Sequence, residues 1–338
     1  MKIRRREFMI SASAFVAACN NSASNKTIAA DIYDAFTDDF YKYILKSESF
    51  SVLGQGYGWS EGPAWDKKRQ RLYFTDVPGN IAYSWSAQNS IETFLIPSGT
   101  DTAKGFREPG ANGLLYLEDG DLLLCNHGLR CVQKINPVSK ERQTLCDNFE
   151  GKKFNSPNDV IKDKAGNIYF TDPPYGLEGL DSSPLKELDF NGVYKLSADG
   201  DITALIADMT FPNGAALSPD QQTLYISQSD PKAPHLYALD LTNPKASKKR
   251  LVDFTPFMDD QNPGLPDGMV IDENGTIFVT GPGGIFIVTP AGEVLGRIKT
   301  GKASANCTFG EDGKTLFITN HDRLLKLKTQ TRGLSWSS

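Results

Sequence analysis

The sequence predicts an all-β fold, a six-bladed β-propeller. One short motif returns six times between Glu61 and Leu327, and each copy is followed by further strand-like runs. Glycine (30 residues) and proline (19) are plentiful enough to punctuate many short strands. Hydrophobic residues at 39% and charged residues at 23% describe a globular chain able to bury a sizeable core. The net charge of -5 leaves no basic footprint, so nucleic acid is not an expected partner.

The first 18 residues read as an export signal. Lys2, Arg4, Arg5 and Arg6 precede an apolar, small-residue run from Phe8 to Ala18 that is too short to span a bilayer. Arg5-Arg6-Glu7-Phe8-Met9 resembles a twin-arginine signal, and Val16-Ala17-Ala18-Cys19 resembles a lipobox with Cys19 as the lipidated residue. The expectation is an exported protein of the periplasm or cell envelope, touching the membrane through an N-terminal lipid anchor. Residues 19–30 then form a Ser/Asn-rich tether, and 31–332 the propeller domain. Asp31 to Lys46 is expected as a short helical lead-in. Phe50 to Leu53 is expected as a strand that pairs with the last blade and closes the ring, because an open ring would leave a bare sheet edge.

Each blade opens on a small residue or Pro, then Asn, Asp or Glu, then usually Gly and an apolar stretch. The copies are Ser60-Glu61-Gly62, Ala111-Asn112-Gly113, Pro157-Asn158-Asp159, Pro212-Asn213-Gly214, Pro266-Asp267-Gly268 and Ala305-Asn306-Cys307. Second strands follow, such as Leu72-Tyr73-Phe74-Thr75-Asp76 and Ile168-Tyr169-Phe170-Thr171-Asp172. Alternating third strands come next, such as Gly192 to Leu196 and Gly284 to Val288. The turns Glu118-Asp119-Gly120, Asp163 to Gly166 and Asp272 to Gly275 lack the spaced carboxylates of a calcium loop and read as hairpin turns. Cys125, Cys131, Cys146 and Cys307 show no metal-finger spacing. Cys125 and Cys131 flank a turn and could form a disulfide, or all four could be buried free thiols.

The innermost strand of a blade lines the channel, so the opening residues form a ring: Glu61, Asn112, Asn158, Asn213, Asp267 and Asn306. Any one such pair would pass for an ordinary turn. Six at equivalent positions point to a hard-oxygen site suited to Ca²⁺, or to Mg²⁺ or Mn²⁺.

Trp59-Ser60-Glu61-Gly62-Pro63-Ala64-Trp65, Asn155 to Val160, Thr171-Asp172-Pro173-Pro174-Tyr175-Gly176 and Leu265 to Met269 together resemble the gluconolactonase / senescence-marker-protein (regucalcin-like) family, and its bacterial exported branch in particular. The resemblance implies a propeller carrying one divalent ion in its channel, usually Ca²⁺ and otherwise Mg²⁺, Mn²⁺ or Zn²⁺, that hydrolyses sugar lactones. Metal ligands are implied at Glu61, Asn213 and Asp267, with Asn158 at the metal or the substrate. Asp267 is implied as the base, with Glu61 the alternative. Ser156 stands where animal members carry an Arg. Asn112, His127, Tyr175 and His321 are candidates for the substrate pocket, and His235 for a structural role. No Gly-x-Ser-x-Gly elbow is present, which argues against a serine esterase. The expected activity is therefore metal-dependent opening of a lactone such as glucono-1,5-lactone. A broader ester or phosphotriester hydrolase and a non-catalytic calcium- or carbohydrate-binding lipoprotein are the alternatives.

Overall fold

The structure, a computed structural model, describes residues 27–28, 32–243 and 248–336. The export signal and Cys19 lie outside the described residues. Six antiparallel sheets of four or five strands form a six-bladed β-propeller. Among the described residues the helical segments are short 3₁₀ turns, such as Asp38–Lys42.

Blade 1 runs outward through Ser60–Asp66, Arg71–Asp76, Ile81–Ser86 and Ser90–Leu95, each strand paired with the one before. Its inner strand is buried along its whole length, whereas its outer strand is largely exposed. Sheets stacked face to face explain this gradient, since an inner strand is covered on both sides. Blades 2 to 5 repeat the plan and open on Ala111–Tyr116, Val160–Lys162, Pro212–Leu217 and Met269–Ile271. The hairpin turns take the left-handed conformation the sequence calls for, with Gly120, Gly166 and Gly275 at φ 95°, 96° and 85°.

Blade 6 joins the two ends of the chain. Asn306–Gly310, Thr315–Asn320 and Arg323–Lys328 pair in order, and Phe50–Gln55 adds outside the last of them. Thr27 and Ile28 pair in turn with Ser51 and Phe50. The lead-in differs from expectation. Tyr33–Ala35 is a strand on the outer edge of blade 5, opposite Gly296 to Ile298, and only Asp38–Lys42 coils, as a 3₁₀ turn.

Each seam between neighbouring blades holds its own apolar cluster. Leu123, Cys125 and Val132 of blade 2 pack with Phe154, Phe170 and Tyr194 of blade 3. The seam of blades 5 and 6 also takes in Ile32, Phe40 and Ile44 of the lead-in and Phe50 of the added blade 6 strand. At the seam of blades 6 and 1, Phe317 stacks on Trp65 at 5.4 Å and tilts against Trp85 at 5.3 Å. The four described cysteines are buried free thiols. The strand register explains why no disulfide joins Cys125 and Cys131. Cys125 pairs with Val132 and Cys131 with Asn126, so the two thiols lie on opposite faces of the sheet.

Phe317→Ala should empty the seam that closes the ring. Its cost is expected at about 3–5 kcal/mol, read as a lowered denaturant midpoint relative to the wild type.

Candidate active site

Four of the six ring residues, Asn112, Asn158, Asn213 and Asp267, have their backbone carbonyls bonded to the preceding blade, whereas Asn306 turns its Oδ1 to the Cys307 N–H at 2.8 Å. Thr75 Oγ1 in blade 1 donates to Asn112 O in blade 2 at 3.1 Å, and Gly113 N donates to Asn158 O in blade 3 at 2.8 Å. Thr171 Oγ1 donates to Asn213 O, and Ser227 Oγ to Asp267 O, both at 2.6 Å. Blades 1, 2 and 4 also carry a β-bulge at the ring residue, between Glu61 and Ala64, Ala111 and Leu114, and Pro212 and Ala215. A bulge re-aims a side chain without ending the strand. Glycine follows the ring residue because the next blade comes so close. A Cβ on Gly62 would stand 2.1 Å from Asn112 O, and one on Gly214 2.2 Å from Asp267 O.

Glu61, Asn112, Asn158 and Asn213 are all buried. Glu61 accepts the Gly62 N–H at 2.9 Å and a bond from the Trp59 side chain. Burial nevertheless pushes its carboxyl from the usual 4.5 up to about 8, helped by the charges of Asp159 and Glu108. Asp267 is likewise raised well above the carboxylate range, first by burial and then by Glu61, Asp159 and Glu108. Asp267 feels the Glu61 charge, so the two carboxyls resist ionising together.

The amides add oxygens beside the carboxylates. Asn213 donates through Nδ2 to Ser229 Oγ at 2.8 Å, while its buried Oδ1 has no hydrogen-bond partner. Asn112 Nδ2 pairs with His127 Nε2 at 3.3 Å, which leaves the amide oxygen for the channel. Among the described residues no cluster of three or more His, Cys, Asp or Glu side chains could hold a metal. A set of two carboxylates and amide oxygens fits a hard cation rather than a soft one. Glu61, Asn158, Asn213 and Asp267 are the residues that could hold it.

The other candidates occupy different depths. His127 is fully buried behind Asn112, and burial holds its imidazole neutral by lowering its pKa to about 3. Tyr175 stacks on Phe211 and donates to Ser229 O at 3.4 Å, and the Asp267 charge is among the causes that raise its phenol. His321 is 48% exposed on the rim, edge-on to Trp59 at 5.5 Å. His235 lies away from the channel against Tyr237 and Asp253.

Sequence reasoning missed three groups. Asp159 fills the place that glycine takes in four other blades, and its carboxylate accepts Val160 N at 2.9 Å and Ala215 N of blade 4 at 3.0 Å. Burial pushes it up to about 6. Glu108 and Arg107 come from the loop that joins blades 1 and 2. Burial raises the Glu108 carboxyl and Arg107 opposes the rise, while the Glu108 charge reaches both Glu61 and Asp267. The Arg107-Glu108-Pro109-Gly110 segment directly before the second ring motif was the available signal.

Residues 59–322 match the family described as the SMP-30/Gluconolactonase/LRE-like region. A gluconolactonase of Zymomonas mobilis is 43% identical over 295 residues, covering 85% of this chain and 83% of its own. A pentonolactonase of Haloferax volcanii is 25% identical, covering 77% and 80%. Among solved structures, a gluconolactonase from Xanthomonas campestris aligns with a TM-score of 0.75 and 28% identity, covering 89% of this chain and 95% of that one.

The raised Glu61 carboxyl fixes a pH dependence. Between about 4.5 and about 8 the folded, cation-free protein holds a proton at Glu61 that the unfolded chain releases, so stability falls as pH rises through that window. The denaturant midpoint without divalent cations should therefore drop across the window, and Glu61→Gln should flatten the drop. An equal slope in the variant would contradict the assignment.

Proposed function

The chain belongs to the SMP-30/gluconolactonase/LRE-like family, and on that premise we propose that it opens sugar lactones of the glucono-1,5-lactone type to aldonic acids, using one divalent cation. The observation that carries this reading is the unbalanced pair of buried Glu61 and half-buried Asp267, together with the unpartnered Oδ1 of Asn213. Ca²⁺ is the favoured ion, and Glu61, Asn158, Asn213 and Asp267 would hold it. When bound, it would polarise the lactone carbonyl and stabilise the negative charge that develops on its oxygen.

The protein's own groups handle the protons. Asp267 takes a proton from the water whose oxygen attacks the carbonyl carbon. The ring C–O bond then breaks, and the proton passes to the departing ring oxygen. The acid product ionises and releases the proton that an assay detects. Asp267 suits the role of base better than Glu61, which spends its oxygens on the Gly62 N–H and the Trp59 side chain. Tyr175 and His321 stand where a lactone entering the mouth would meet them, and Asn112 lines the wall beside it. His127 contributes from behind by fixing the Asn112 amide.

On the same reading, the basic and apolar run of residues 1–18 and the lipobox-like Cys19 support a cell-envelope location for this chemistry. A lipid-anchored lactonase there would act on sugars oxidised outside the cytoplasm.

Proton release on adding glucono-1,5-lactone tests the proposal. The wild type with Ca²⁺ should exceed spontaneous opening. Chelation should remove the excess, and Asp267→Asn should lower kcat about 10²–10⁴-fold. A wild type no faster than spontaneous hydrolysis would overturn it.

A further inference from the structure

The mouth of the channel carries an ion pair that the reaction itself does not require. The loop between blades 1 and 2 crosses onto the loop that follows Asp172 in blade 3. Arg107 N and Glu108 N both donate to Gly176 O at 3.0 and 3.3 Å, Glu178 N donates to Gly105 O at 3.0 Å, and Phe106 bridges Leu177. These backbone bonds suffice to seat the loop. The side chains do something more. Arg107 Nε and Nη2 grip Glu108 Oε1 at 3.1 and 2.5 Å, while Glu108 Oε2 faces His127 Nδ1 at 3.7 Å. The Glu108 side chain is 10% exposed and that of Arg107 53% exposed, so the pair runs from the buried wall out to solvent. Glu108 is close enough to raise Glu61 and Asp267, and both Glu108 and Arg107 act on Tyr175.

We propose that Arg107 and Glu108 select the sugar, binding hydroxyl groups of the lactone ring away from its reacting carbonyl. The inference rests on the lactonase reading and deepens it. A hydroxyl both donates and accepts a hydrogen bond, and neighbouring ring hydroxyls need a donor and an acceptor side by side. The pair supplies that pattern. The remaining Arg107 N–H groups make no bond to the protein among the described residues, and the carboxylate beside them offers lone pairs. Arg107 alone would favour an anionic substituent. Glu108, bonded to Arg107, opposes one, so the pair favours a neutral polyhydroxylated ring. A lactone without hydroxyls has nothing to offer the pair.

The test uses full-length wild type, Arg107→Met and Glu108→Gln on two six-membered lactones, glucono-1,5-lactone and the hydroxyl-free δ-valerolactone. Both variants should lose about 10- to 100-fold more in kcat/KM on the sugar lactone than on δ-valerolactone, the difference arising mainly through KM. Equal losses on both lactones, or no loss on either, would overturn the assignment. Calorimetric binding of glucono-1,5-lactam, a neutral analogue that is not hydrolysed, is read in parallel. Wild type should bind it at least about 10-fold more tightly than Arg107→Met. Equal binding, or none by the wild type, sinks the selector whatever the rates show. A wild type that binds the lactam but opens neither lactone would instead sink the lactonase reading and leave the selector standing.

Discussion

The site depends on where the backbone carbonyls of the innermost strands go. Asn112 O, Asn158 O, Asn213 O and Asp267 O each accept a bond from the preceding blade. Buried carbonyls left without partners would be costly, so these contacts hold the ring shut. They also remove any freedom in how the ring residues face. With the main chain tied sideways, each side chain has the channel as its outlet. Sealing the blades together and aiming the donors inward are thus one arrangement.

That arrangement concentrates acid where water is scarce. Glu61, Asp159 and Asp267 sit in the channel region, and Glu108 adds a fourth carboxylate from the rim. Asp159 is partly compensated by two backbone N–H groups, one of them from the next blade. Glu108 has Arg107. Glu61 and Asp267 have neighbouring amide and indole donors but no basic side chain among their partners. The imbalance therefore falls on the two residues that would hold a cation, while the supporting carboxylates are the better neutralised pair. A fold selected for stability alone would reverse that distribution.

The ring was legible in the sequence because it is written six times. Glu61, Asn158, Asn213 and Asp267 gain their meaning from equivalence between blades, and the second-strand hydroxyls Thr75, Thr171 and Ser227 repeat in the same way. Groups that occur once gave no such signal. Asp159 replaces a glycine, and its role shows only when Ala215 arrives from the neighbouring blade. Arg107 and Glu108 lie in a connecting loop whose path is set by Gly176, far away in the chain. The lead-in shows the opposite failure. Tyr33, Phe36, Phe40 and Ile44 carry helix-like spacing, yet the unpaired edge of blade 5 offers backbone bonds to Tyr33–Ala35 that a short isolated helix could not match.

Ser156 ties these strands of argument together. It occupies the position where animal members of the family carry an Arg, two residues before Asn158. Here it is fully buried, donating to Pro173 O at 2.6 Å and accepting Gly176 N at 2.9 Å. The Ser156 side chain seats the loop whose Gly176 carbonyl holds Arg107 and Glu108. The Arg107 guanidinium at the rim is thus seated, through Gly176, by Ser156. The chemistry stays with the repeated ring, and the choice of substrate passes to loops that can vary without disturbing it.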